Sequence, residues 1–278
     1  MLISVVIPTY NGALLLQKSL TKLNDALKNI DNTEVIIVDN GSDDPTDSVV
    51  SRQSSVIIQY IKLKHNYGFT RAINDGAKKA KGKYLLFLNN DCFVEKDTIT
   101  SLYSFLEKNN NYVATQPIIQ TQQRDVENIG YIVDLKKGKA EVVCRQSSVA
   151  SRQSSVDMWE MGKVYGLSAT CLLIRREIFN KIGGFDESFH SYLEDVDLFI
   201  RLANKGYRYS PCLDARARHM HMQTSSKMGS YKQRHDLTNW IRIILKNYPK
   251  KFIIQNAISL FTERLRNLNG LFKVIFNY

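Results

Sequence analysis

Proline and cysteine are both scarce, with five prolines and four cysteines in 278 residues. Together with only 14 glycines, this excludes collagen-like and low-complexity architectures. Cys92, Cys144, Cys171 and Cys212 are widely separated and include no C-x-x-C pair. Neither a structural zinc nor a disulfide framework is therefore expected, and a reducing cytosol is the natural setting. No apolar run approaches the ~18 residues of a spanning helix. Residues 1–6 lack the basic start of a secretory leader. Glycine-rich phosphate loops of the forms G-x-G-x-x-G and G-x-x-x-x-G-K-[ST] are also missing, which removes support for dinucleotide-fingerprint and P-loop readings.

What remains is an ordinary globular composition, 44% hydrophobic and 23% charged. The length suits one large domain plus an appendage, or two small domains, with a core that needs no staples. Charge is unevenly spread. Residues 227–278 hold ten Lys/Arg against two acids, which is +8 of the total +11. The first 226 residues are nearly balanced, so the boundary is placed there: a main body over 1–226 and a basic helical segment over 227–278.

The first half alternates strand and helix signals. Residues 2–8, 34–39, 57–63 and 84–88 are apolar, β-branched or aromatic runs. Between them Leu16, Leu20, Leu23, Leu27 and Ile30 recur at helical spacing, and residues 70–80 and 98–106 read as helices. Such alternation implies an α/β fold with a mostly parallel sheet flanked by helices. Ligands bind such sheets beyond the carboxyl ends of the strands. The polar clusters Thr9-Tyr10-Asn11, Asp39-Asn40 and Asn89-Asn90-Asp91 fall at those ends. Residues 120–164 read as short strands and loops. Residues 165–174 read as one buried strand, residues 193–205 as a helix, and residues 207–213 and 215–221 as strands. Arg-Gln-Ser-Ser-Val occurs at 52–56, 145–149 and 152–156 and reads as polar surface sequence.

Several residues carry chemistry. Asp39 ends a strand among turn formers; it suits either recognition of a base or ribose, or an Asx turn. Asp91, flanked by amides, suits a hard divalent cation held mainly by substrate phosphates, or a plain turn. Glu194, Asp195 and Asp197 open a helix, where the dipole favours anions, and an ionised carboxylate there can serve as a general base for a hydroxyl. Asp197 and Arg201 form an i,i+4 pair. His219 and His221 alternate on a strand and share one face, so either can complete a metal site with Asp91.

The stretches VVIPTYNG, VIIVDNGSDD, HNYGFTRAINDGAKKAKGKYLLFLNND and GLSATCLLIRREIFNKIGGFDESFHSYLEDVDLFIRLANKGY resemble, in order and spacing, the motifs of the inverting family-2 glycosyltransferases with a GT-A fold. The rhamnosyltransferase-like branch of polysaccharide synthesis is the nearest in kind. The resemblance spans residues 3–225 and implies site roles. Pro8, Thr9, Tyr10 and Asn11 line the nucleotide pocket; Asp39 recognises the base. Asn66 and Arg71 lie near base and diphosphate, with Asn89 and Asn90 on the donor side. Asp91 is the metal-binding Asp of the D-x-D motif, with Mn²⁺ or Mg²⁺ as the implied cofactor and His219, or alternatively His221, closing the site. Asp195 is the base and Glu194 shapes the acceptor site. One departure is that Asn89 stands where the motif's first acid would be. The implied partners are a nucleoside-diphosphate sugar and a glycan or lipid-linked acceptor. Two other classes remain. One is a sugar nucleotidyltransferase, whose Gly-rich basic N-terminal loop is missing here. A catalytically idle nucleotide-sugar-binding module is the other alternative.

In the basic segment Ile254, Ile258, Phe261, Leu265, Leu268, Phe272 and Ile275 form a helical apolar stripe, with Lys250, Lys251, Arg264, Arg266 and Lys273 around it. This is the pattern of a helix lying on an anionic membrane. The expected location is therefore cytoplasmic and peripheral on the inner membrane face. Packing on the body, or a homodimer through these helices, is the alternative. No nucleic-acid reader motif is present.

Overall fold

A computed structural model describes residues 2–28, 30–52, 58–121, 127–144, 158–220 and 229–276. His221 and all three Arg-Gln-Ser-Ser-Val copies, apart from Arg52, lie outside the described residues.

The first sheet grows from buried apolar runs. Strands β1 (Ile3–Thr9), β2 (Thr33–Asp39), β3 (Ile58–Lys62) and β4 (Tyr84–Leu88) pair in parallel. Helices α1 (Ala13–Leu27) and α3 (Phe69–Lys79) connect and cover them, with the short α2 (Thr46–Ser51) before β3. The predicted stripe of α1 is buried, from Leu16 to Leu27, and Ile30 with it. Beyond β4 come β5 (Cys92–Val94), α4 (Thr98–Lys108), β6 (Tyr112–Thr115) and β7 (Pro117–Thr121). The middle holds β8 (Glu127–Asp134), β9 (Lys139–Cys144), α5 (Met158–Met161) and β10 (Lys163–Gly166). Then follow β11 (Cys171–Arg175), α6 (Arg176–Lys181), α7 (Glu194–Asn204), β12 (Arg208–Tyr209) and β13 (Cys212–His219). Helices α8 (Gly229–Asn247), α9 (Lys250–Gln255) and α10 (Ala257–Phe276) finish the described chain.

The seven-stranded sheet runs β12-β6-β11-β4-β1-β2-β3, and a second sheet runs β10-β8-β7-β13-β5 with β9 beside β8. The first is mostly parallel, as expected, with β11 antiparallel to β4 and β6. The single strand expected over 165–174 is instead two. β10 belongs to the second sheet and β11 to the first, and residues 167–170 cross between them. An apolar run does not mark where a chain changes sheets. Likewise β12 and β13 lie in different sheets.

The basic segment is not a loose appendage at its start. Trp240, Ile243, Ile244, Tyr248, Phe252 and Leu260 are buried in the same core cluster as Val6, Phe87, Phe179 and Phe199. Arg264 of α10 donates to the Gly138 carbonyl (2.6 Å) and lies over the Trp240 ring (5.3 Å). Across the 226/227 boundary, one core is continuous.

Candidate active site

Register puts the expected polar residues together. Thr9 pairs with Asp39, and Asp39 with Lys62, at one end of the parallel strands. Pro8 is buried one step inside, against Val38, and Tyr10 is exposed beyond. Asn11, with φ 49°, turns the chain out. Its amide donates to Ser42 Oγ (2.9 Å), its side-chain oxygen accepts from the Asp43 amide (2.9 Å), and the Ala13 amide donates to Asp44 (2.8 Å). The two loops that open the site are thus stitched to each other.

Asp39 is wholly buried. One oxygen accepts from the Ser42 amide (2.9 Å), the other from the Tyr60 hydroxyl (2.6 Å). Through the amide three residues on, the carboxylate holds the 39–44 loop, and both its oxygens are taken up within the fold. Asn40 donates to Asn66 Oδ1 (2.9 Å) and the Gly68 carbonyl (3.1 Å) and accepts from the Tyr67 amide (2.9 Å), which fixes the loop ahead of α3. At Gly68 (φ 92°) a Cβ would lie 2.6 Å from the His190 ring, so only glycine allows this approach. Arg71 sits in a surface ion-pair group, 2.9 Å from Asp75 and 3.1 Å from Glu187.

The turn after β4 carries the metal candidates. Asn90 donates to Thr9 Oγ1 (2.9 Å), close to Gly12, where a Cβ would come within 2.2 Å of the Asn90 amide nitrogen. Antiparallel pairing of β5 with β13 sets His219 against Cys92. His219 Nε2 therefore lies 3.0 Å from Asp91 Oδ1, both mostly buried. Of the two candidate histidines, only His219 lies among the described residues, and it meets Asp91. Among the described residues no three His, Cys, Asp or Glu side chains converge as a closed metal cage. One carboxylate and one imidazole fit a divalent ion that takes its other ligands from diphosphate and water. Asn89, in the same turn, keeps a buried Oδ1 with no hydrogen-bond partner, a further oxygen suited to a hard cation or its water.

The expected base stands at the start of α7. Three residues before it have left-handed backbone: His190 (φ 57°), Tyr192 (67°) and Leu193 (64°). Side chains with a Cβ disfavour this region, and such strain gathers at functional sites. Asp195 accepts from the Val196 amide (2.8 Å) and, more weakly, from Ala169 (3.4 Å). Ser168, Ala169 and Thr170 form the loop between β10 and β11. The Thr170 carbonyl accepts from the Asn89 amide (2.9 Å). Adjacent loop residues thus touch the metal turn on one side and the base on the other.

Burial raises both carboxyls of the Glu194–Asp195 pair. Asp195 goes to about 6, with the Ala169 and Val196 amides opposing the rise. Glu194 goes to about 8, because Asp195's charge adds to burial. Burial thus favours the protonated form of both, and of Glu194 more strongly, because it also faces the charge of Asp195. Glu194 Oε2 is buried without a partner.

Three contributors escape the sequence pattern. Tyr131, in β8, has a buried, unpartnered hydroxyl whose acidity is suppressed by burial and then by Asp195. Gln116 is wholly buried and accepts from the Ser168 amide (2.6 Å), supporting the loop that touches Asp195. Asn239 of α8 is the third. Tyr131 sits in an ordinary strand, and the other two are single amides far off in sequence, so only the fold reveals them.

The two sheets, flanked by helices, are those of the GT-A fold of glycosyltransferases, and solved structures of that fold match the chain. The glycosyl transferase family 2 profile matches residues 4–183, and the chain belongs to that family. It is 28% identical over 274 residues to the uncharacterized glycosyltransferase RP339 of Rickettsia prowazekii, covering 93% of this chain and 80% of that one. It spans 37% and 42% of two longer rickettsial relatives. It is also 28% identical over 239 residues to the O-antigen chain rhamnosyltransferase RfbN of Salmonella typhimurium, covering 81% and 68%. Among solved structures, the mannosyltransferase PcManGT of Pyrobaculum calidifontis, in complex with GDP-Man and Mn²⁺, superposes with TM-score 0.65 at 17% identity, over 98% of this chain and 72% of that one.

Proposed function

We propose that this glycosyltransferase inverts the anomeric centre as it moves a sugar from a nucleoside diphosphate to a glycan or lipid-linked acceptor in polysaccharide or cell-envelope synthesis. The observation that carries the reading is the 168–170 loop, which contacts the Asn89–Asp91 turn and Asp195 through adjacent residues. Relatives named for O-antigen and rhamnosyl transfer support the substrate class.

In this reading Asp195 takes the proton from the acceptor hydroxyl as that oxygen attacks the anomeric carbon. The bond to the diphosphate oxygen breaks in the same displacement, and no enzyme nucleophile is needed. Protonated Glu194 offers the acceptor a hydrogen-bond donor. Pro8, Thr9, Tyr10, Asn11, Asn66, Asn89 and Asn90 line the donor side. Asp39 acts on the base through the turn it holds. Arg71 reaches the diphosphate only by releasing Glu187. Asp91 and His219 would hold the Mn²⁺ or Mg²⁺, which would offset charge on the leaving diphosphate.

The test is turnover of UDP-, dTDP- and GDP-sugars with and without Mn²⁺, in wild type, Asp195→Asn, Asp91→Ala and His219→Ala. Asp195→Asn keeps donor binding while transfer falls. The other two lose Mn²⁺-dependent binding. Full activity in EDTA overturns the metal assignment. Donor binding without release of nucleoside diphosphate in wild type favours an idle binding module.

A further inference from the structure

The segment bearing Glu194 and Asp195 is gripped by α8. Asn239 is wholly buried. Its Nδ2 donates to three backbone carbonyls of the preceding turn, Tyr192 at 2.7 Å, Ser191 at 2.9 Å and Phe189 at 3.3 Å. Its Oδ1 accepts from Arg242 (2.7 Å). Two helical turns further along the same face, Lys246 and Asn247 reach Asp197 at 3.0 and 2.8 Å. One helix therefore holds the chain both before and after the carboxyl pair.

The local backbone explains why a grip is needed. With left-handed φ at 190, 192 and 193, the turn belongs to neither helix nor sheet. Its carbonyls need partners from elsewhere once buried. The two hydrogens of a single amide nitrogen supply Ser191 and Tyr192, while the more distant Phe189 carbonyl also accepts from the Ser191 amide. Replacing that nitrogen leaves the Ser191 and Tyr192 acceptors short and a disfavoured turn free to relax, and α7 would then begin at a different angle.

We propose that Asn239 is a positioning residue for the carboxyl pair: it fixes the left-handed turn at 189–193 and so aims Asp195 at the acceptor. This rests on the reading of Asp195 as the base. The competing account is an asparagine that only pins α8 to the body.

The experiment compares wild type with Asn239→Ala and with Asn239→Leu, which keeps the branched outline of four heavy atoms and deletes the donor. Amide hydrogen exchange, read peptide by peptide, needs no substrate. The expected result is exchange about tenfold or more faster across 187–197, with the β1, β2 and β4 peptides unchanged. With the nucleotide sugar that wild type turns over, kcat falls by about 10²-fold, the cost of a misplaced group near 1 Å, while donor KM stays within about twofold. In an Asp195→Asn background the same change costs nothing more, because the two act as a unit.

Unchanged exchange at 187–197 overturns the proposal. So does uniform loosening of the whole chain with kcat preserved, a loss that adds fully to Asp195→Asn, or failure of both variants to fold. If Asp195→Asn alone retains wild-type turnover, the base reading falls. The exchange data then still decide whether Asn239 holds the turn.

Discussion

Glu194 and Asp195 are neighbours with separate tasks, and pH resolves them. Asp195 acts only when ionised, so transfer should rise with pH through about 6, well above the ordinary carboxyl range. Asp195→Asn should remove that limb and lower transfer by roughly 10²–10⁴, read from pH profiles of kcat with the preferred donor. Glu194 also bears on stability. Its folded value, near 8, lies above the ordinary one, so between the two the folded chain binds more protons than the unfolded chain. Stability therefore falls as pH rises through that window. Glu194→Gln should melt higher than wild type at pH 8, and the gap should close near pH 4; an equal gap at both values contradicts the shift. At this scale much was legible. Asp91 and Asp195 were candidates by their positions after a strand and at a helix start, while strand alternation offered His219 and His221 alike. Tyr131 was not, because a tyrosine in a strand carries no chemical signal until its hydroxyl is found buried without a partner.

Between elements, Asp197 shows what a local pattern leaves out. Its spacing to Arg201 predicts one exposed helical pair, worth about 0.2–0.5 kcal/mol. That pair exists, at 2.7 Å. The carboxylate is wholly buried, however, and also accepts from Lys246 and Asn247 of α8. No window of one helix reveals a partner 49 residues away. Asp197→Asn should therefore cost about 3 kcal/mol, the lower end for breaking a buried charge pair, since Lys246 reaches solvent. That corresponds to a drop of about 5 °C in melting temperature for a chain of this length. A drop of about 1 °C returns Asp197 to a simple surface pair. Elements legible in the sequence were the buried apolar runs β1 to β4 and the helices α1, α3, α4 and α7. The 165–174 run misled because the loop inside it, Ser168-Ala169-Thr170, has the small residues of a buried strand while it serves the site.

On the scale of the whole molecule, the C-terminal segment divides between core and surface. Trp240, Tyr248 and Phe252 face inward, while Ile254 is 76% exposed, Ile258 84% and Phe261 63%. Leu265, Phe272 and Ile275 are exposed on the same stripe, beside Lys250, Lys251, Arg266 and Lys273. Among the described residues no helix is long and apolar enough to cross a membrane. We propose that this face lies on an anionic bilayer, with the enzyme peripheral on the cytoplasmic membrane near a lipid-linked acceptor. A basic residue at such a surface contributes about 1 kcal/mol, which salt screens, while apolar insertion persists. Cutting the chain at 250 is a poor test, because Phe252 and Leu260 are core. The combined change Ile254→Ser, Ile258→Ser and Phe261→Ser touches exposed side chains alone, so its melting temperature should match wild type. In sedimentation with vesicles, wild type should bind anionic bilayers over neutral ones, more tightly at low salt, and the triple variant should bind neither firmly. If the variant binds vesicles as wild type does, the stripe is not the contact. If wild type is a dimer that the three serines split, with no vesicle binding in either form, the face belongs to a second copy of the chain.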